Sequence, residues 1–539
     1  KDIVGIQFAM ADALARQLGI SEDDPKRIHA CIYHILEQHA SDGHMYAIED
    51  QLIKRCWELL NIGKDEIDAG IDALIDAGEL VRCAVSNENE RGVFLKAYHQ
   101  IETGTANRLT ALLSVPALLP DIDTTLIIDE VLKKLAIKLS PEQLDVLEGI
   151  FSHRVAIITG GPGTGKTTLI RSITAILSLM GREALLAAPT GRAARRLSEV
   201  TRMKTSTIHK LLGFNYGDGD FEKDQDDPLD ADIVIIDEAS MVDATLMFHL
   251  LKAVPMSAGL ILVGDVFQLP SVGPGNVLSD LIQSHRIQTY ELKTIYRQAQ
   301  ESNIVMNAHR VRMGEQLDLA GPDHSDFYFI RQQNPERAVE TIVKLCSESI
   351  PRKYNLDRIG DIQVLTPMHK GAVGTINLNQ VLQKALNSEP EQDGGSRRMF
   401  RTGDKVMHLK NNYQKDVFNG DIGTVRTINS AENMLSVDYE GRIVDYDFEE
   451  LDELSLAYAI SVHKSQGSEY PAVIVPLMTQ HYPLLQRNLL YTAMTRGKRL
   501  VIFVGTQQAL DIALKNDKPR KRLSSLAYQL SAHETRQNG

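Results

Sequence analysis

Cysteine, tryptophan and excess positive charge are all scarce in this chain. Four cysteines, Cys31, Cys56, Cys83 and Cys346, are scattered over 539 residues, and there is one tryptophan. That spacing suits neither a disulfide framework nor a structural zinc site, and it points to a reducing, cytoplasmic setting. No clustered His/Cys ligands stand elsewhere. No apolar run comes near the roughly 20 residues that a membrane-spanning helix needs, and no signal peptide is legible. The formal charge of −13 argues against an indiscriminate coat for nucleic acid, but not against a locally basic channel. Internal repeats and low-complexity tracts are also missing. The chain opens on Lys1 in what reads as the middle of a motif, so an N-terminally truncated protein is expected.

What is present is a phosphate-binding loop with its partner. Arg154 to Thr159 reads as a strand, Gly160-Gly161-Pro162-Gly163-Thr164-Gly165-Lys166-Thr167 follows, and a helical pattern begins at Thr168. Glycines in that setting let successive backbone N–H groups face one point at a helix N-terminus, where they cradle phosphate oxygens. Lys166 is placed to reach the β- and γ-phosphates and Thr167 to ligate Mg²⁺. The partner is Ile233-Val234-Ile235-Ile236-Asp237-Glu238, a buried parallel strand ending in two carboxylates. Asp237 suits a Mg²⁺ role and Glu238 the base that activates water. A third strand, Leu262 to Gly264, leads to Gln268, whose amide can bond both phosphate and water. Tyr296-Arg297 and Tyr491 to Arg496 each bring an arginine that can close on a transferring phosphoryl group. Hydrolysis of a nucleoside triphosphate follows from this set.

At this length several domains are expected. Residues 1–44 read as helical, and 45–130 as a winged-helix-like accessory domain with a hairpin around 87–92. Its would-be recognition helix carries Asp65, Glu66, Asp68, Asp72, Asp76 and Glu79 against Lys64, which repels phosphate and favours a protein partner. A first α/β domain is expected over 131–285, with a hairpin at about 213–230. A second takes 286–398 and 453–515, interrupted by a small β-barrel at 399–452, and a solvated tail covers 516–539.

In order, these segments resemble the superfamily 1 helicases, and among them the RecD-like branch of the RecD2 type. Gly160 to Thr167 is similar to motif I, Ala188 to Ala194 to motif Ia, Asp237 to Ser240 to motif II, and Gly264 to Gln268 to motif III. Tyr296-Arg297 resembles motif IV, Val462 to Glu469 motif V and Tyr491 to Arg496 motif VI. The resemblance implies two RecA-like domains, an inserted SH3-like barrel, and a strand-splitting pin near Gly217-Asp218-Gly219. It implies that Gln143 contacts adenine, that Tyr296 stacks on it, and that Gly467 and Glu469 approach the nucleotide, Glu469 near the ribose. Arg297 and Arg496 would be arginine fingers. Thr190, Arg192, Thr207, His209, Thr366, His369, Lys370, His463 and Ser465, all hydroxyl, imidazole or cationic, are apt for a DNA backbone track. Leu269-Pro270 stands where relatives of opposite polarity carry an aromatic, which favours 5′→3′ movement. Gln7 replaces the second glycine of the family's helix-hairpin-helix Gly-x-Gly. The expected protein is a monomeric, ATP- and Mg²⁺-dependent 5′→3′ translocase and helicase on single-stranded and 5′-tailed DNA, in repair or recombination. An ATP-gated clamp and an RNA helicase of the Upf1-like group are the alternatives.

Overall fold

The computed structural model describes residues 8–86, 90–116, 125–215, 217, 219–319, 325–388, 399–412, 414–517 and 522–537, with backbone alone for 297, 298 and 533–537. The expected Gly-x-Gly substitution at Gln7, part of the hairpin at 87–89 and residues 216 and 218 of the expected pin lie outside that description.

Two all-parallel sheets form the body. In the first, the order is Gln288–Leu292, Val155–Gly160, Gly259–Gly264, Ile233–Ile236, Ala184–Ala188 and Thr205–Thr207. The central strands are continuous runs of aliphatics because helices cover both faces, so alternate residues have nowhere wet to point. The second sheet runs Phe327–Arg331, Gly497–Gly505, Tyr470–Leu477, Ile362–Thr366 and Ala459–Ser461. Inserted into it is a five-stranded antiparallel barrel-like sheet, Arg442–Asp447, Met434–Tyr439, Ile422–Asn429, Lys405–His408 and Leu454–Leu456. Strand Met434–Tyr439 alternates half-buried and buried residues, the period-2 signature of a sheet with one dry face.

Three boundaries differ from expectation. The first α/β domain does not stop at residue 285, because Gln288–Leu292 pairs with the strand that feeds the phosphate loop. An edge strand with polar residues at 288, 289 and 291 gives little apolar pattern to read. The accessory region does not close at 130 as a separate body: helix Lys96–Ser114 buries Leu109 and Leu112 in the first domain's core. Arg108 in that helix donates to the carbonyls of Leu251 (3.0 Å) and Val254 (2.8 Å). Finally, residues 522–530 are no solvated tail, since Ser525, Leu526 and Leu530 are buried against that same core. Leu526 and Leu530 are one helical turn apart, an i, i+4 stripe hidden in the sequence by the basic run before it.

The accessory region itself has helices Glu49–Leu60 and Lys64–Asp76 beside a three-stranded antiparallel sheet. Arg82 reaches from that sheet to Glu49 (2.5 Å), Asp72 (2.7 Å) and Asp68 (3.2 Å), so part of the acidic face is neutralised from within.

Candidate nucleotide and nucleic-acid sites

Strand Val155–Gly160 runs into the loop and helix Lys166–Leu179 leaves it. Gly163 and Gly165 take φ of +74° and +80°, the left-handed conformation that turns backbone N–H groups inward and that glycine adopts without strain. A Cβ at Gly165 would stand 2.5 Å from Gln143 Nε2 and 2.8 Å from the Tyr296 ring. Thr164 is buried and donates to the Gly161 carbonyl at 2.8 Å, so its side chain braces the loop instead of facing a ligand. Lys166 Nζ lies across the loop, donating to the carbonyls of Gly160 (2.5 Å) and Gly161 (3.0 Å).

A cavity of about 280 Å³ opens over this loop. Gly161, Pro162, Gly163, Gly165, Lys166, Thr167 and Thr168 form its floor. Asp237 and Glu238 enter from the end of Ile233–Ile236, and Gln268 from the loop after Gly259–Gly264. The second domain supplies Gly467, Glu469, Thr495 and Arg496. Burial, and then the neighbouring Glu238, hold the Asp237 carboxyl above the usual range; Lys166 and Arg196 act the other way. Two crowded carboxylates facing a lysine suit a cation and a polyphosphate between them. Gln268 is 8% exposed, lines the cavity, and its buried Oε1 has no hydrogen-bond partner within the described protein. Arg496 is 3% exposed, fixed by the carbonyls of Ser468 (3.2 Å) and Thr492 (3.3 Å).

Several residues stand differently from expectation. Gln143 is 1% exposed and does not line the cavity. Its Nε2 donates to the Thr164 carbonyl at 3.0 Å, and its Oε1 accepts from the Ser140 N–H at 3.1 Å and from the Tyr296 hydroxyl. Gln143 and Tyr296 thus lean on each other behind Gly165. Glu469 lies between Arg196 and Lys498, the latter at 3.4 Å. The side chain of Arg297 lies outside the described structure.

Sequence reasoning passed over three residues here. Arg196 lines the cavity from helix Gly191–Thr201 and pairs with Glu469. Asp265, 1% exposed, accepts from the Tyr491 hydroxyl at 2.6 Å and so ties the two domains together. His309 approaches the Pro162 carbonyl at 3.5 Å. Asp265 lies within the motif III stretch and Tyr491 within the motif VI stretch, so both carry a signal in the sequence; Arg196 and His309 are single residues on helix faces, visible only in three dimensions.

The nine expected DNA-track residues separate into two groups. His369, Lys370 and His463 are exposed, on loops at the C-terminal ends of second-domain strands. Thr366 and Ser465 are fully buried and donate to the carbonyls of Val373 (2.7 Å) and Val462 (2.6 Å), so their hydroxyls are engaged by the protein's own backbone. Thr207 is 5% exposed and caps its helix by accepting from the Lys210 N–H at 3.2 Å. Thr190 caps helix Gly191–Thr201 in the same way, accepting from Ala193 N–H at 3.2 Å. Arg192 turns inward to Ser468 (3.1 Å) and the Tyr470 hydroxyl (3.2 Å). His209 packs on Phe214 and Phe221, with centroids 5.6 and 5.8 Å away. Those two phenylalanines stand at the base of the short antiparallel pair Phe214–Asn215 and Asp220–Phe221.

Known proteins decide the family. The model of the ATP-dependent RecD2 DNA helicase HHH domain matches residues 1–46, and that of the ATP-dependent RecD-like DNA helicase SH3 domain matches 378–439. An AAA domain matches 143–274 and a UvrD-like helicase C-terminal domain 456–504. The ATP-dependent RecD2 DNA helicase of Deinococcus radiodurans is 34% identical over 99% of this chain and 73% of its own length. The chain belongs to the RecD2 DNA helicases. It is an ATP-dependent DNA helicase built from two RecA-like domains with an SH3-like insert. The RecBCD enzyme subunit RecD of Mycobacterium tuberculosis is 30% identical over 79% of this chain and 78% of its own. A Bacteroides Pif1 bound to single-stranded DNA is 19% identical over 75% of this chain and 98% of its own, with a TM-score of 0.43.

Proposed function

We propose that this RecD2-type helicase translocates 5′→3′ on single-stranded DNA, separates 5′-tailed duplexes and serves DNA repair or recombination as a monomer. One observation carries the motor: residues of both RecA-like domains, from Lys166 and Asp237 to Arg496, line a single cavity at their junction. Chemistry in that cavity is therefore sensitive to how the domains sit, which is what converts hydrolysis into movement.

In this reading Lys166 and the loop N–H groups bind the β- and γ-phosphates. Thr167 and Asp237 would hold Mg²⁺, which supplies neutralisation of phosphate charge. Glu238 takes the proton of the attacking water, and Gln268, whose Oε1 has no protein partner, orients that water against the γ-phosphate. Arg496 from the second domain, with Arg297, stabilises charge on the phosphoryl group. Glu469 meets the ribose side by giving up part of its pairing with Arg196, and the Gln143–Tyr296 pair borders the adenine. The 5′→3′ direction rests on the family likeness and on Leu269-Pro270 after Gln268.

The DNA track in this reading runs over His369, Lys370 and His463, with the backbone at Thr190 and Thr207 beside it, and the aromatic-based hairpin Phe214–Phe221 is the pin. Deleting residues 216–221 tests the pin: unwinding is lost while DNA-stimulated ATP turnover survives. Loss of both refutes it. Absence of unwinding in the intact chain supports an ATP-gated clamp, and equal stimulation by RNA an RNA helicase. The acidic helix Lys64–Asp76 is proposed as a protein-partner surface, tested by co-purification with and without charge reversal of Asp65 and Glu66, which the Arg82 ion pairs leave untouched.

A further inference from the structure

The segment following Gln268 is gripped from two directions. The second RecA-like domain holds Leu269: its N–H donates to Thr492 Oγ1 at 2.8 Å, and its carbonyl accepts from Gln466 Nε2 at 2.6 Å. Residues 271–275 are held instead by Arg522, from the segment expected to be a free tail. Arg522 Nη1 donates to the carbonyls of Gly273 (2.8 Å) and Gly275 (2.7 Å) and to Ser271 Oγ (3.2 Å). Its Nη2 donates to the Ser271 carbonyl at 2.6 Å. The guanidinium fork, rigid and planar, therefore organises three carbonyls of one loop.

The same arginine is seated on the N-terminal module. Gly43 takes φ of +94°, and a Cβ there would lie 2.5 Å from Arg522 Nε, so a larger residue would push the fork off the loop. The Gly43 carbonyl also accepts from the Gly275 N–H at 3.0 Å. Beyond Arg522, Leu523 pairs with His44 Nδ1 (2.9 Å) and the Met45 N–H (2.7 Å). Ser524 Oγ and the Ser525 N–H reach the buried Glu102 carboxylate at 2.6 and 3.0 Å. Leu526 and Leu530 then seal the strap into the core of the first domain. Burying hydrophobic side chains does not require a cation; desolvating a guanidinium beside three carbonyls costs free energy that only their fixed arrangement offsets. At the loop's other end Gln466, which holds Leu269, stands three residues after His463 of the proposed track.

We propose that Arg522 is a positioning residue for the motor: by fixing loop 271–275 to the N-terminal joint it transmits occupancy of the DNA track to the Gln268 side of the nucleotide cavity. This rests on the reading of that cavity as the ATP site. The loop has two ends with different owners, and Arg522 is the group that makes it stiff enough to carry a displacement between them.

The test is steady-state ATP turnover of the whole chain with and without a single-stranded thymidine oligonucleotide. Arg522→Ala is expected to lower the ratio of stimulated to DNA-free turnover by about fivefold or more, the lower range of coupling between linked sites, with little change in KM for ATP. Arg522→Lys keeps a cation without the fork and recovers part of the ratio; it also serves if Arg522→Ala does not fold. Leu530→Ala loosens the same strap by packing alone, and lowers Tm while the ratio holds. A wild-type ratio in Arg522→Ala, or an equal loss in Leu530→Ala, overturns the proposal. Failure of the underlying ATP-site reading is separate, because it shows as DNA-stimulated turnover retained in Lys166→Ala.

Discussion

The proposed nucleotide cavity and the proposed DNA track are built from the same kinds of loop, yet they differ in how their residues use their polar atoms. Around the phosphate loop, side chains of Lys166, Asp237, Glu238, Gln268 and Arg496 converge on one space. Along the track, Thr190, Thr207, Thr366 and Ser465 turn their hydroxyls to their own backbone, and only His369, Lys370 and His463 present polar side chains outward. The difference follows from the ligand. On this reading a triphosphate and its cation are compact, highly charged and met by converging side chains, whereas a DNA backbone is met by polar and cationic groups spread along a groove.

The largest effects should come from breaking the convergent side. Lys166→Ala is expected to reduce ATP turnover on the order of 10²–10³-fold by removing a charge aimed at the phosphates, read by phosphate release with single-stranded DNA. Glu238→Gln should bind ATP and lose about 10²-fold or more in turnover, since the amide cannot take the water's proton. Normal turnover in either variant would dissolve the contrast. On the dispersed side, His369→Ala with Lys370→Ala should weaken oligonucleotide binding and lower its salt dependence by about 0.7 in the log–log slope for each phosphate that is no longer neutralised. The smallest effect sharpens the comparison most. Thr366→Val should leave DNA affinity unchanged while costing about 1 kcal/mol of stability, because the Val373 carbonyl loses its donor. A large affinity loss there would return Thr366 to the track.

How much was legible in the sequence follows the same division. The phosphate loop and the carboxylate pair are contiguous strand–loop units, so reading the loop residues and Asp237-Glu238 located the cavity floor. Arg496, from a separate motif, falls in the same cavity. The inserted barrel showed through its short alternating strands, such as Met434–Tyr439. Residue type did not reveal orientation: Thr366 and His369 lie three positions apart, but one ends a fully buried strand and the other stands on the exposed loop beyond it. Nor could it reveal Arg522, whose neighbours in space are 271–275 and 43, hundreds of positions away. A basic run ahead of two leucines reads as solvent until the N-terminal module is seen waiting for them.

The most direct test of the central claim compares ATP-driven unwinding of two duplexes, one with a 5′ and one with a 3′ single-stranded tail, by the intact chain and by Lys166→Ala. The account predicts separation of the 5′-tailed duplex alone, abolished by Lys166→Ala. Preference for the 3′ tail, or separation of neither duplex despite DNA-stimulated hydrolysis, would contradict it.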